Sequence, residues 1–387
     1  MKICLVSDDR LVRTPDGTYH SNTGYDWTLF ADLFGPELET VEVLARVTAA
    51  PEAPEGWAAH RVDDRTKIVG LPWFDKYRAF LKLPAAMVTL RRELKGADVV
   101  WLVVPNVYPT LAYLVARSLR KPVVAWCVGD VSETALMVYD ELPMRLAYRL
   151  YARITRAIVR RAQAGFVASE TLGKRYEGRR PLTVAYRSLR DPGYLETRRD
   201  ERDPRTILYL GRLSPEKGAG TLLEAFERVL EKMPDARLVF AGEGPQRAEL
   251  EARSRALPEA VEFTGWVAHG PELKSVMARA DVACLPSYSE GMPAALLEAM
   301  SAGLPVVGSA VGDIPAVVSA RGAGRIVTPR DVDELARALV DVMSDGAAYR
   351  EMSRAAVVTA RERSFEQETG RVVHAALRLG RGEGTRP

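Results

Sequence analysis

The stretch "PSYSEGMPAALLEAMSAGLPVVGS", residues 286–309, sets Glu290 and Glu298 eight positions apart around Gly-Met-Pro, inside otherwise apolar sequence. Pro293 suits the first position of a helix, where its missing N–H costs nothing, and Gly303 followed by Pro305 supplies a stop. The spacing therefore predicts a helix over 293–302. Ala294, Ala295, Leu296, Leu297, Ala299, Met300 and Ala302 occupy nearly all its sides, which implies burial on more than one face. Glu298 then lacks a route to water. A carboxylate so placed needs polar partners, most simply two hydroxyl donors, or it loses its charge. Glu290 precedes the helix in the loop after the strand-like "DVACLPS", beside the free amides of a helix start, which attract anions. The plainer alternative is a solvated helix glutamate and an ordinary loop charge.

Working outward, 387 residues exceed what one core usually organises, so two domains are expected. No apolar run reaches the ~18 residues of a membrane span, and "MKICLVSDDR" enters a strand pattern rather than a signal peptide; a soluble, cytoplasmic protein is expected. Cys4, Cys127 and Cys284 sit in separate apolar runs and the chain holds four histidines, which argues against a disulfide framework and a zinc site. Residues 1–200 carry 30 Lys+Arg against 24 Asp+Glu (+6) and the remainder 24 against 27 (−3), giving the net +3; nucleic-acid binding is not favoured.

Short apolar runs alternate with helix-length segments, the pattern of parallel sheets joined by crossover helices. "KICLVS", "VEVLARV", "KIVGL", "DVVWLVV", "PVVAWCV", "AGFVAS" and "LTVAY" form one set, and "TILYLG", "RLVFAG", "VEFTGW", "DVACLPS", "PVVGSA" and "GRIV" a second. The charged, Pro-punctuated segment 187–205 between them reads as a linker. Two doubly wound α/β domains are expected, 1–190 and 200–365, with ligands at the carboxyl ends of strands in the cleft between them.

Two further motifs belong to the second set. "TILYLGRLSPEKGAGTLLEAF" runs from a strand through Gly211, Arg212, Lys217 and Gly218 into an amphipathic helix. Arg212 offers a fork matching phosphate oxygens and Lys217 a mobile point charge; a turn with ordinary surface charges is the alternative. "RLVFAGEGPQRAEL" begins like a dinucleotide fingerprint, but Arg247 holds the third glycine position, so Gly242 and Gly244 are read as a close backbone approach at a strand end.

"GRLSPEKG", "FAGEGP", "VEFTGWV", "ADVACLPSYSEGMPAALLEAMSAGLPVVGSAVGDIPAVV" and "SFEQETGRVVHAAL", in this order, resemble the retaining glycosyltransferases of family 4, with the two-domain GT-B fold. The resemblance covers nearly all of 205–370. It implies two Rossmann-like domains facing a central cleft: an acceptor-side domain, a nucleotide-sugar-binding domain, and a final helix, about 366–380, crossing back onto the first. It also implies that Arg212 and Lys217 hold the diphosphate of a nucleotide sugar, a UDP-sugar first, with Gly211 and Gly242 in the supporting turns. Glu298 would bind the ribose hydroxyls, and Glu290 with the amides around Gly291, Met292, Pro293 and Ala294 would meet sugar and phosphate. Cations and helix amides stabilise the charge that grows on a leaving phosphate, so no metal is needed. The one DxD, Asp331-Val-Asp333, follows Thr328-Pro329 at a helix start and is read as a cap rather than a metal site. In this family the leaving phosphate is held to take the acceptor proton, with no side-chain nucleophile.

The N-terminal half departs from the family pattern of a Gly-Gly pair in the first loop and a histidine after the fifth strand; the stretches here read "TYHSNTGYDW" and "AWCVGDVSET". Gly24 can still let a phosphate approach, with Asn22 and Thr23 as donors. Asp130 stands where the histidine is expected, either binding an acceptor hydroxyl or amine or capping a helix. His20 reads as a loop residue, Trp101 and Trp126 as core, Trp73 as a stacking platform. Two other functions remain open, a nucleotide-sugar epimerase using Asp130 and Glu133, or a sugar-nucleotide-binding partner without catalysis. The acceptor, small molecule, glycan or lipid-linked, is not named by the sequence. Finally, "RLAYRLYARITRAIVRRAQ", 145–163, holds six arginines and no acid, and Arg145, Arg149, Arg153, Arg156 and Arg160 share one helical stripe. It reads as a surface helix paired with acids elsewhere, or as a peripheral contact with an anionic membrane.

Overall fold

The computed structural model describes residues 1–21, 32–54, 57–60, 62–72, 79–129, 141–178, 182–186, 204–267 and 270–383. The chain divides into two compact units, Met1–Arg187 with Glu366–Pro387, and Ser188–Phe365.

The first unit is built on β1 (Lys2–Arg13), β2 (Tyr19–Ser21), β3 (Thr40–Ala49), β4 (Ala58–His60), β5 (Thr66–Leu71), β6 (Val99–Val104), β7 (Val123–Cys127), β8 (Ala164–Val167) and β9 (Thr183–Val184). Its helices are α1 (Ala79–Lys95), α2 (Val107–Ser118), α3 (Leu142–Arg161) and α4 (Glu170–Tyr176). β5, β3, β1, β6, β7, β8 and β9 lie side by side and parallel, while β2 and β4 add antiparallel pairings beyond Val12 of β1. All seven apolar runs fall in strands. The sequence missed β2 and β4 because Tyr19-His20-Ser21 and Ala58-Ala59-His60 are too short and lack large aliphatic residues; His20 is thus a strand residue rather than a loop residue. Both faces of the sheet are covered, so its strands are near-continuous Val, Leu and Trp. Trp101 and Trp126 are buried with ring centroids 6.1 Å apart, and the Trp126 indole N–H donates to the Ala185 carbonyl at 2.9 Å.

The second unit has β10 (Thr206–Leu210), β11 (Arg237–Ala241), β12 (Val261–Gly265), β13 (Val282–Leu285), β14 (Val306–Ser309) and β15 (Gly324–Val327). These alternate with α5 (Ala219–Lys232), α6 (Arg247–Arg253), α7 (Pro271–Arg279), α8 (Ala294–Ser301) and α9 (Ile314–Ser319), and α10 (Val332–Ser344) and α11 (Gly346–Glu362) follow. All six strands are parallel in the order β12-β11-β10-β13-β14-β15. One core packs Leu222, Leu223, Phe226 and Leu339 on one face, and another packs Leu296, Met300, Ile314 and Val317 on the other.

The last helix, α12 (Phe365–Gly380), serves the first unit. Its buried Glu368 accepts from the Tyr186 amide at 3.1 Å, Arg371 donates to the Val184 carbonyl at 3.1 Å, and Arg381 beyond it pairs with Glu37.

Candidate functional site

In the second unit the chain winds outward from β10 in both directions, so β10 and β13 are neighbours whose following loops turn apart at their carboxyl ends. Such a switch point is where open parallel sheets take ligands. The two loops are 211–218 and 286–293, the motifs singled out in the sequence. Lys217 Nζ lies 2.7 Å from Glu290 Oε1, and the Ser287 hydroxyl donates to the same oxygen at 2.7 Å. The Tyr288 amide donates to the Glu216 carbonyl at 2.8 Å, tying the loops together by backbone as well. Gly218 makes this approach feasible: its φ of 71° is left-handed, and a Cβ there would land on the Pro286 carbonyl oxygen.

The first loop is braced from below. The Tyr209 hydroxyl donates to the Arg212 carbonyl at 2.7 Å, and burial, reinforced by the charges of Glu290 and Glu216, raises its pKa and keeps it a donor. Burial pushes the Glu216 carboxyl up, but hydrogen bonds from Ser214, at 2.6 Å, and its own amide, with Lys217 and Arg212 nearby, leave its pKa lowered overall. The Arg212 side chain is exposed and makes no ion pair among the described residues. The partial glycine fingerprint is a packing device, as its spacing suggested. A Cβ on Gly242 would land on the Gly211 carbonyl oxygen, while the Gly211 amide donates to Ala241 O at 3.0 Å and the Leu213 amide to Glu243 O at 2.9 Å. Arg247, in the third glycine position, pairs with Glu243 and Glu251.

The second loop delivers a helix start to the same place. Helix α8 begins at Ala294 with Pro293 as its extended N-cap (ψ 126°), one residue later than predicted. Gly291 is exposed and Met292, Pro293 and Ala294 are half-buried. The Leu296 amide donates to Pro293 O at 3.1 Å, while the amides before it lie ahead of any intrahelical acceptor, which makes this end electropositive. The Asp313 amide holds the loop by donating to Gly291 O at 2.9 Å. One turn further, Glu298 is buried as its surroundings implied, and that burial pushes its pKa up to about 7. These loops and α8 carry an exposed guanidinium, an ammonium, a helix N-terminus and two carboxylates. Together they can hold an anion and accept from hydroxyls.

Among the candidates, Gly211, Arg212, Lys217, Gly242, Glu290, Gly291, Met292, Pro293, Ala294 and Glu298 all fall on the carboxyl side of β10, β11 and β13. Gly24 and Asp130 lie outside the described residues. Asp331 caps α10 by accepting from the Glu334 amide at 2.8 Å, and Asp333 pairs with Arg228. Sequence reasoning missed Tyr288, inside the opening stretch. Its hydroxyl meets Thr221 Oγ1 at 2.6 Å, and the Arg330 guanidinium lies 4.4 Å from its ring centroid. A lone tyrosine between two serines gives no periodic signal.

Residues 204–345 match the family described as glycosyl transferases group 1. That segment is thus similar to a group 1 glycosyl transferase domain. It contains both switch-point loops. The chain is 38% identical over 161 residues to glycogen synthase of Mycobacterium tuberculosis, covering 41% of this chain and 39% of that one. The match thus spans about two fifths of that relative's length. A longer match, 29% identical over 302 residues, joins 76% of this chain to 75% of the phosphatidyl-myo-inositol mannosyltransferase of Mycolicibacterium smegmatis. Among solved structures, Anabaena HepE in complex with UDP superposes with a TM-score of 0.68 at 16% identity, covering 99% of each chain. The fold is GT-B.

Proposed function

We propose that this protein is a retaining, metal-independent glycosyltransferase that moves a sugar from a nucleoside-diphosphate sugar, a UDP-sugar first, to a hydroxyl or amine acceptor. The observation that carries this is the meeting of Lys217 with Glu290 at the β10/β13 switch point, beside the start of α8, within the segment similar to a group 1 domain. Arg212 and Lys217 take the diphosphate, aided by the amides of Gly291, Met292 and Ala294. Glu290 receives hydroxyls of the transferred sugar and Glu298 those of the ribose, whose donors favour its ionised form. As the bond from the anomeric carbon to the phosphate oxygen breaks, its electron pair stays on the phosphate, where the cations and amides meet the growing charge. The acceptor oxygen bonds to the same face of that carbon and its proton passes to the leaving phosphate. With the charge met this way, no metal is required. Gly24 lets the phosphate approach the backbone from the first unit, and Asp130 binds an acceptor hydroxyl or amine. The acceptor is a small molecule, a glycan or a lipid-linked hydroxyl, met in the cytoplasm or at a membrane contacted through 145–163.

Incubation with a panel of UDP- and GDP-sugars, read by NMR with and without EDTA, tests this. One donor should be hydrolysed or transferred with retained anomeric configuration, at a rate EDTA leaves unchanged. An isomerised sugar nucleotide would instead identify an epimerase, and binding without turnover a non-catalytic partner.

A further inference from the structure

Helix α3 presents two kinds of side chain to solvent. Ala152, Thr155, Ile158 and Val159 are buried against the unit, and the Tyr151 hydroxyl meets Thr110 of α2 at 3.4 Å, so the inner face is accounted for. Outside, Leu142, Leu146, Leu150 and Ile154 recur every fourth residue and are 66%, 52%, 58% and 40% exposed. At 100° per residue they form one oblique row, flanked by Arg145, Arg149 and Arg153. The arginine stripe read from the sequence divides here. Arg160 donates to the Tyr176 carbonyl at 2.7 Å and Arg156 lies 5.2 Å from the Tyr176 ring centroid, so both are tied into the unit. Arg145, Arg149 and Arg153 make no ion pair among the described residues.

The neighbouring helices continue this face. The Arg91 guanidinium of α1 donates to Ser118 of α2 at 3.5 Å, and α2 adjoins α3 through Thr110, so the three form one layer. Ten large apolar side chains are exposed among the described residues, and seven lie on these helices: Val88, Val107 and Leu114 besides the four on α3. The three helices hold four, one and six basic residues in turn against a single acid, Glu93, which is buried.

We infer that the outer face of α1, α2 and α3 docks on an anionic lipid bilayer, lying on it through exposed leucines and isoleucine while arginines meet the headgroups. This widens the contact through 145–163 to a surface of three helices and holds whether or not the second unit transfers a sugar. A bilayer rewards both features, because apolar side chains enter the acyl boundary as guanidiniums reach phosphate. A nucleic acid would reward only the charge. A second copy would set like charge against like across a twofold axis. No helix among the described residues is long and apolar enough to cross a membrane, so the contact is with the surface.

The full chain is sedimented with vesicles of phosphatidylglycerol in phosphatidylcholine, and with phosphatidylcholine alone, at low and raised salt. Binding should need the anionic lipid and weaken with salt. Replacing Arg145, Arg149 and Arg153 by Gln should lower the partition coefficient about 10²-fold, and replacing them by Lys should largely keep it. Leu146→Asn with Leu150→Asn should lower it about tenfold or more. The Gln and Asn variants should both keep wild-type UDP affinity and circular dichroism, since they lie on the surface of the other unit. No binding at low salt, or binding unchanged in both variants, overturns the inference. So does a dimer in solution that the leucine variants convert to monomer, which would show a second copy covering the face.

Discussion

The second unit exposes its chemistry at the edge of a sheet, whereas the first exposes charge and apolar surface on the backs of its helices. In the second, six parallel strands buried on both faces leave loops as the place for polar function, and Arg212, Lys217, Glu290 and the start of α8 all lie there. In the first, the helices covering the sheet carry an outward face of Arg, Leu and Ile with almost no acid. Similar parallel architectures thus expose two kinds of surface: charged loops at strand ends and a broad basic, apolar face across helices.

The sharpest way to break this contrast is to remove the cations of the second unit. Arg212→Ala and Lys217→Ala should each lower kcat about 10²-fold or more while changing donor binding less, because leaving-group charge grows as the bond breaks. Single-turnover kinetics checks this, and wild-type kcat with only KM altered in both variants would remove the leaving-group role. Next, the two glutamates should separate. Glu298→Gln should weaken UDP about tenfold, as expected for a hydrogen bond to a charged group, whereas Glu290→Gln should leave UDP affinity nearly intact and impair turnover. Equal losses of UDP affinity in calorimetry would contradict the assignment.

A pH experiment sharpens the same point. Burial raises the Glu298 pKa to about 7 from the usual 4.5, so the folded protein holds a proton that the unfolded chain has released between those values. Its contribution to stability is therefore greatest below the unfolded pKa and falls as pH rises through about 7. Glu298→Gln should lessen the fall in Tm between pH 5 and 8 (about those values) relative to wild type. Ribose hydroxyls favour the carboxylate, so UDP binding near pH 6 (about one unit below that pKa) should release a proton, seen by calorimetry in buffers of different ionisation enthalpy. The smallest effect is structural: Asp331→Ala, removing the α10 cap, should cost about 1 kcal/mol in denaturant melts and leave UDP affinity unchanged.

The same contrast decides how much could be read from the sequence. In the second unit each of six apolar runs became a strand, because strands covered on both faces are written as continuous Val, Leu and Ile. The glutamates were legible for the converse reason, as charges inside apolar sequence. What stayed hidden there depends on contacts distant in sequence: the Lys217–Glu290 pair spans 73 positions, and Tyr288 gains its partners from Thr221 and Arg330. In the first unit the sheet core was legible but β2 and β4 were not, since a three-residue strand has too few positions to show alternation. The arginine stripe was visible as a pattern. Its division into Arg156 and Arg160, which meet Tyr176, and Arg145, Arg149 and Arg153, which do not, was hidden, because Tyr176 arrives from the next helix.

A crystal structure with UDP bound tests the central claim most directly. The diphosphate should lie within hydrogen-bond reach of Lys217 Nζ and the first amides of α8, with the Arg212 guanidinium turned onto it and both ribose hydroxyls on the Glu298 carboxylate. A diphosphate seated elsewhere, against the Gly242–Gly244 turn alone or away from the β10/β13 switch point, with Glu298 meeting no ribose hydroxyl, would contradict the account.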